Sequence, residues 1–298
     1  MGPRRMPAAD LDVTPDLVRR LLEAQQPDLA GLPIELMTNG WDNVVYRLGS
    51  ELLVRLPRRE MAATLVVHEQ RWLPLLRARL PLPIPAPVRI GKPGFGYPWS
   101  WSVVPFLPGQ VAAENPPSDL RGAAVILAEF LAALHSPAPP DAPVNPYRGV
   151  PLANRRTVVF ENLAAVADLV DPTAVKRVWD AAIASPAWDA DPVWLHGDLH
   201  PANILVDRDR ISGVIDFGDI TAGDPAADLS VAWMLLPAEH HGPFRHTYRN
   251  AASHPADDDI WVRARGWALT LSLAFLAHSA DNPQLSRIGH RTIGAALA

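Results

Sequence analysis

The sequence predicts an α+β chain in which a small antiparallel-sheet lobe precedes a larger, mainly helical lobe. Three observations carry this. Between residues 34 and 56, short apolar runs at 34–37, 44–48 and 52–56 are separated by the turn signals Asn39-Gly40 and Gly49-Ser50, which is the pattern of a meander. From Ser118 onward helical spacing dominates, over 118–135, 157–169, 172–184, 225–236 and 257–297, the last in two or three pieces. One strand-rich island, 193–216, interrupts the helical half.

Taken in order, Thr14-Pro15 opens a helix, a hydroxyl N-cap followed by proline in the first turn. Leu17, Leu21 and Leu22 give it an apolar face, and Pro27 ends it. Helical spacing returns over 60–79 through Leu65, His68, Trp72, Leu75 and Leu76, with Pro74 expected to kink or split the helix. Alternate prolines from Pro81 to Pro87 form a stiff extended connector. Residues 98–107 read as a strand whose end is punctuated by Pro105, Pro108 and Gly109, a place for a hinge. The expected division is therefore residues 1–106 and 107–298.

Composition narrows the classes. At 298 residues the chain can bury a sizeable core, and 48% apolar with 20% charged residues is ordinary for a soluble globular protein. A net charge of −5 argues against general affinity for nucleic acid or anionic membrane. The absence of cysteine excludes disulfides, thiolate nucleophiles and cysteine-ligated zinc, with the cytoplasm as the default compartment. Arg4 and Arg5 have no apolar run behind them, so no secretory signal is read there. The most apolar stretch, 266–280, is too short to span a bilayer and reads as a buried helix. Lys92 and Lys176 are the only lysines.

The island carries the chemistry. Its run from Trp194 to Val206 reads as a strand, a polar loop kept from helix by Pro201, and a second strand. A turn centred on Arg208 and Asp209 would pair Val206 with Ile211 and place Pro201 opposite Asp216. Asp198, Asn203 and Asp216 would then meet at the mouth of one fold-back. Hard oxygen donors of this kind suit magnesium, which keeps waters and leaves room for phosphate oxygens. Each residue alone reads as a turn or cap; only the three together point to a site.

His196-x-Asp198-x-x-x-x-Asn203 resembles the catalytic loop of kinases, and Asp216-Phe217-Gly218 resembles their metal-binding motif. The form His-Gly-Asp-Leu-His-Pro-Ala-Asn, with Gly197 where protein kinases carry arginine and with Gly223-Asp224-Pro225 following almost at once, is similar to the aminoglycoside-phosphotransferase family. That resemblance implies a protein-kinase-like bilobal fold, with a nucleotide-binding first lobe and a catalytic, acceptor-binding second lobe. It implies a magnesium-dependent enzyme moving the γ-phosphate of ATP or GTP to a hydroxyl of a small molecule, foremost an aminoglycoside or macrolide antibiotic. Amino alcohols and sugars are further acceptors within the family. Asp198 would orient the acceptor hydroxyl and take its proton, and Asn203 and Asp216 would hold the metal. His196 and Asp228 would support the loop, and His200 is read as a loop residue. No nucleic acid, membrane or required protein partner is implied.

The same resemblance extends upstream. Asn39, Gly40 and Asn43 stand at the phosphate-covering loop, though a plain hairpin turn would look the same. Arg55 stands where the family carries a strand lysine. A guanidinium contacts phosphates with different geometry and reach. Glu69 is either the ion-pair partner of Arg55 or a solvated helix residue. Val104, Phe106 and Leu107 lie on the expected hinge strand, whose backbone would meet the purine. For the acceptor, Glu161, Asp219 and Trp233 are the candidates, while Asp257-Asp258-Asp259 reads as a helix cap. Trp233, Trp261 and Trp267 suit core packing as well as a roomy pocket. Two other classes remain open: a metal hydrolase built on His196, Asp198 and His200, and a non-catalytic nucleotide-binding relative of kinases.

Overall fold

Three hairpin-linked strands begin the first sheet in the computed structural model, which describes residues 8–298; Arg4 and Arg5 lie outside the described residues. Two compact units are present, residues 8–79 with Pro83–Pro108, and Gly109–Ala298 with Leu80–Leu82. In the first, α1 spans Pro15–Gln25, and the Thr14 hydroxyl accepts from the Leu17 N–H at 3.2 Å. Strands β1 (Ile34–Asn39), β2 (Asn43–Leu48), β3 (Leu52–Pro57), β4 (Arg89–Gly91) and β5 (Trp101–Pro105) form an antiparallel sheet in the order β1-β2-β3-β5-β4. Leu17, Val18, Leu21 and Leu22 of α1 pack with Tyr46, Val54, Leu56 and Trp101 of the sheet. Each fully buried leucine contributes roughly 2 kcal/mol.

Helix α2 (Glu60–Arg77) follows β3 and runs unbroken through Pro74, so no split occurs. Proline removes one backbone hydrogen bond, but Trp72, Leu73 and Leu76 are buried on both sides of it and hold the helix to its unit.

The second unit contains β6 (Gln110–Val111), α3 (Leu120–Leu134), α4 (Arg156–Ala165), α5 (Pro172–Ala184), β7 (Val193–Leu195), β8 (Ile204–Asp207), β9 (Arg210–Val214) and β10 (Thr221–Gly223). It ends with α6 (Ala226–Leu229), α7 (Val231–Leu235), α8 (His241–Ala251), α9 (Asp258–His278) and α10 (Pro283–Leu297). Helix α9 is its axis, buried from Ile260 to Leu273 at most positions and packed on α4, α5, α6 and α10. Asp257 caps it by accepting from the Ile260 N–H at 3.1 Å. Among the described residues no helix is long and apolar enough to cross a membrane.

The island keeps the expected strand, loop and strand but departs from the expected register. The strand that enters the polar loop and the strand that leaves it belong to separate sheets: β7 pairs with β10, while β8 pairs with β9 and β6. The turn does centre on Arg208 and Asp209, both in the left-handed region at φ 47° and 65°, as a two-residue hairpin requires. Its register then slips. Val206 faces Ile211, but Leu205 faces Gly213 and Ile204 faces Val214, so Ser212 is the extra residue of a bulge. The pairing of Pro201 with Asp216 therefore does not form; everything beyond the bulge moves by one.

Candidate active site

The loop joining β7 to β8 is fixed from beneath by one buried carboxylate. Asp228, 1% exposed on α6, accepts from the His196 N–H at 2.7 Å and the Gly197 N–H at 3.0 Å. His135 lies 3.3 Å from the same carboxylate, and its other nitrogen is 2.6 Å from the Tyr248 hydroxyl. Gly197 takes φ 86°, and a β-carbon there would stand 2.2 Å from the Asp219 carbonyl oxygen, so only glycine fits. His196 is fully engaged: Nδ1 accepts from the Asp198 N–H at 3.2 Å, which leaves Nε2 to donate to the Ile215 carbonyl at 2.9 Å. With no lone pair to spare, His196 cannot ligate zinc, which removes the metal-hydrolase alternative.

At the loop's mouth, the Asp198 side chain is a quarter exposed. Arg148 donates to its Oδ1 at 2.7 Å. His200, whose Nδ1 accepts from the Ala202 N–H, places Nε2 3.4 Å from Oδ2. Burial alone would raise the Asp198 pKa. The Arg148 charge, with His200 and His196, outweighs burial and holds the carboxyl well below the usual range. Asn203 donates from Nδ2 to the Asp198 carbonyl at 2.9 Å and accepts on its own carbonyl from the Ile215 N–H at 2.9 Å. The latter bond ties the end of the hairpin to the loop and sets Asp216, exposed and at φ 64°, beside it. Asp219 completes the acidic group. Burial first, then the charge of Asp198 and further off that of Asp216, push its carboxyl up, against Arg148 and a 2.6 Å bond from Asn145.

This donor set fits magnesium. Asn203 spends its Nδ2 on the Asp198 carbonyl, which leaves its Oδ1 as the donor toward a cation, and Asp216 offers a carboxylate, while no three His, Asp or Glu side chains form a ready cage among the described residues. Magnesium asks for one or two such donors and fills its remaining positions with water and phosphate oxygens.

In the sheet unit, Arg55 on β3 and Glu69 on α2 form a buried ion pair at 2.9 Å, their side chains 9% and 3% exposed. Glu69 is therefore not a solvated helix residue. The hairpin turn at Asn39, Gly40 and Asn43 is closed by the Gly40 N–H donating to the Asn43 carbonyl, and Arg58 bonds the Gly40 carbonyl at 3.0 Å. Asn39 also lines a cavity of about 270 Å3 with Val44, Tyr46 and Arg58. On the hinge strand, Val104 pairs with Leu53 and the Phe106 N–H is spent on the Glu51 carbonyl at 2.7 Å. Leu107, between Pro105 and Pro108, makes no backbone N–H hydrogen bond among the described residues.

Two acceptor candidates are not brought to the Asp198 loop. Glu161 is exposed on α4. Trp233 is 5% exposed and walls a cavity of about 520 Å3 with His241, Arg245 and Trp261, none of them from the loop. Its place in α7 turns it toward α9 rather than toward β7. Conversely, sequence reasoning missed Arg148, Asn145 and His135. Arg148 stands 50 residues before Asp198, and no spacing rule joins them.

The profile described as "Phosphotransferase enzyme family" matches residues 33–267. The chain belongs to that family. An aminoglycoside 3'-phosphotransferase from Escherichia coli is 28% identical over 143 residues, 46% of this chain and 53% of that protein. The chain thus spans about half the length of the curated relatives it matches. Among solved structures, the GDP complex of aminoglycoside 2'-phosphotransferase-IIIa has a TM-score of 0.65 at 20% identity, covering 94% of this chain and 97% of that one. The apoenzyme of macrolide 2'-phosphotransferase from Brachybacterium faecium has a TM-score of 0.62 at 24% identity, covering 95% and 96%. These family structures share the fold, the kinase-like α+β fold that the loop motif implied.

Proposed function

We propose that the protein is a magnesium-dependent phosphotransferase that moves the γ-phosphoryl group of ATP or GTP onto a hydroxyl of a small molecule in the cytoplasm, without a protein partner. The observation that carries this is the Asp198 carboxyl at the mouth of a loop whose backbone is clamped by Asp228, with Asn203 in the same loop and Asp216 tied next to it.

In this reading the acceptor hydroxyl donates to Asp198, which aligns its oxygen with the γ-phosphorus. A bond forms between them, the bond to the β-phosphate's bridging oxygen breaks, the nucleoside diphosphate leaves, and the hydroxyl proton passes to Asp198. A carboxylate with a depressed pKa is a weak base. It therefore orients the hydroxyl early and accepts the proton late, as suits a loose transition state with little early deprotonation. Magnesium held by Asn203 and Asp216 would neutralise charge on the phosphates. The unit of residues 8–79 with Pro83–Pro108 would hold the nucleotide, with the Leu107 N–H for the purine and Arg55, steadied by Glu69, for the phosphates. The turn at Asn39, Gly40 and Asn43 would cover them.

Relatives named for aminoglycosides and macrolides make these the first acceptors to test. A small metabolite, an amino alcohol or sugar, is the second reading, favoured by the guanidinium of Arg148 standing where a polycation would approach Asp198. The test is a screen of purified protein with ATP or GTP, with and without magnesium, against both antibiotic classes and small alcohols, read as phosphorylated product by mass spectrometry. Tight nucleotide binding with no product from any acceptor would instead identify a non-catalytic nucleotide-binding protein.

A further inference from the structure

The segment carrying Arg148 is stitched to the floor of the site. The Asn145 N–H donates to the Thr221 hydroxyl at 2.9 Å, and the Asn145 amide to Asp219 at 2.6 Å. The Tyr147 N–H returns to the Asn145 side chain at 2.8 Å, and the Asp224 N–H donates to the Gly149 carbonyl at 3.0 Å. Gly149 sits at φ 66° so close to β10 that a β-carbon on Gly223 would lie 2.2 Å from its oxygen. The backbone on either side of Arg148 is thus held, and its guanidinium reaches Asp198 from a fixed base.

Arg148 has a like-charged companion. Arg155 pairs with no carboxylate among the described residues; its guanidinium lies 5.3 Å from the Tyr147 ring centre, and its Nε is buried without a hydrogen-bond partner. Burial, then the Arg148 charge, make Arg155 hold its proton less tightly than usual, with Tyr147 acting in the opposite direction. Arg148 gives one N–H to Asp198 and makes no other side-chain hydrogen bond among the described residues. Arg155 stands over the ring of Tyr147, the residue before Arg148, and two like charges gathered on one segment, one of them lacking an acid among the described residues, repel. An anion between them would remove that repulsion and satisfy the idle donors, whose planar forks match carboxylate and phosphate oxygens. Of the neighbouring acids, Asp198 is already matched by Arg148, and Asp219 spends Oδ1 on Asn145.

We propose that Tyr147, Arg148 and Arg155 form an anion-binding acceptor subsite beside Asp198. The acceptor is then a hydroxylated small molecule with a carboxylate or phosphate group close to the hydroxyl that is phosphorylated. This rests on the phosphotransferase reading of the same loop. It selects against polycations, which would meet the unpaired Arg155 charge next to the Arg148–Asp198 pair.

The test separates the two ideas. With the donor site saturated by ADP and magnesium, calorimetric titration compares D-glycerate and gluconate with glyceramide and gluconamide, and glycerol 3-phosphate with glycerol. Expected is a preference for the anion of about tenfold or more in at least one pair, lost in Arg155→Gln and partly kept in Arg155→Lys. Carboxylate and phosphate pairs show which source the site takes. Equal binding of anion and neutral partner in every pair overturns the subsite, as does a preference untouched by Arg155→Gln. Turnover of the same panel with ATP and GTP, with kanamycin added, reads the other question. Anion preference without transfer to any acceptor would retain the subsite and refute the phosphotransferase reading. Efficient transfer to kanamycin with no anion preference would do the reverse.

Discussion

Asp228→Asn replaces a carboxylate that holds two backbone N–H groups of the Asp198 loop with an amide of the same shape. One carbonyl oxygen remains to accept; the new NH2 group faces the second N–H and cannot. The loss is one charge-assisted hydrogen bond at 2.7 or 3.0 Å, a weakened second one, and a buried donor left unsatisfied at a site 1% exposed. Hydrogen bonds to charged groups are worth about 1.5–3 kcal/mol and an orphaned buried donor costs about 1–3 kcal/mol; the two overlap, since the orphaned donor is the one that lost its bond, and the local cost is about 2–4 kcal/mol. Because two units need not unfold together, a single global midpoint is the wrong measure. Amide exchange of the peptide across 193–206 reads the loop directly, and its opening should accelerate roughly 30- to 900-fold. Phosphoryl transfer should fall with it, since Asp198 follows Gly197 in the chain. Exchange within about threefold of wild type would mean that Asp228 does not support the loop, and the clamp would have to be abandoned.

Asp198→Ala should leave circular dichroism unchanged and lower kcat by about 10²–10⁴, the range of a positioned general base; transfer at the wild-type rate would remove Asp198 from its role. Asp216→Ala should abolish the magnesium-dependent part of nucleotide binding in calorimetry, whereas binding with wild-type magnesium dependence would place the ion elsewhere. Arg148→Gln tests the pH dependence. Because the Asp198 pKa is depressed, its ion pair stabilises the fold above the ordinary carboxylate pKa of about 4 and is lost as pH falls through the folded value. Without Arg148 the largest influence lowering it is gone, the pKa rises, and the acid limb of kcat/KM moves to higher pH. A pH–rate profile with an unmoved acid limb would contradict that sign. Gly197→Ala should lower thermal stability through a cost of about 2–4 kcal/mol, combining the left-handed backbone with the 2.2 Å clash.

What could be read in the sequence followed from local chemistry. The strands at 34–56 were legible because each alternates between apolar runs and Asn-Gly or Gly-Ser turns, and α1 because Thr14-Pro15 is a complete start signal. The turn at Arg208-Asp209 was legible from polarity; the slip at Ser212 was not read, and its one mark is Gly213 inside a strand only five residues long. Helix α8 was hidden because histidines and arginines hold most of its face while only Phe244 and Tyr248 are buried. Strands β4, β6 and β10 are three residues or fewer, below the length at which a period of two can be seen. In the site, His196, Asp198, Asn203 and Asp216 sit within one short motif. Arg148, Asn145 and His135 reach it only through tertiary packing, and no rule of spacing would have found them.

Gly197 and Arg148 are connected by the same constraint. Protein kinases, whose loop this one resembles, carry arginine immediately before the catalytic aspartate. Here that position is occupied by a backbone at φ 86° whose missing β-carbon makes room for the Asp219 carbonyl. No side chain can stand there, so a positive charge beside Asp198 cannot come from its neighbour in the chain. It comes from Arg148, through a segment pinned to β10 by Asn145 and Gly149. The close approach that excludes a local arginine also brings Asp219 under Asn145, and Asn145 positions the segment that supplies the distant one. Loss of Gly197 should therefore disturb not only the loop but also the Arg148–Asp198 pair. In Gly197→Ala the acid limb of kcat/KM should shift upward in the same direction as in Arg148→Gln, and an unshifted limb in a folded Gly197→Ala protein would show that the two features are independent.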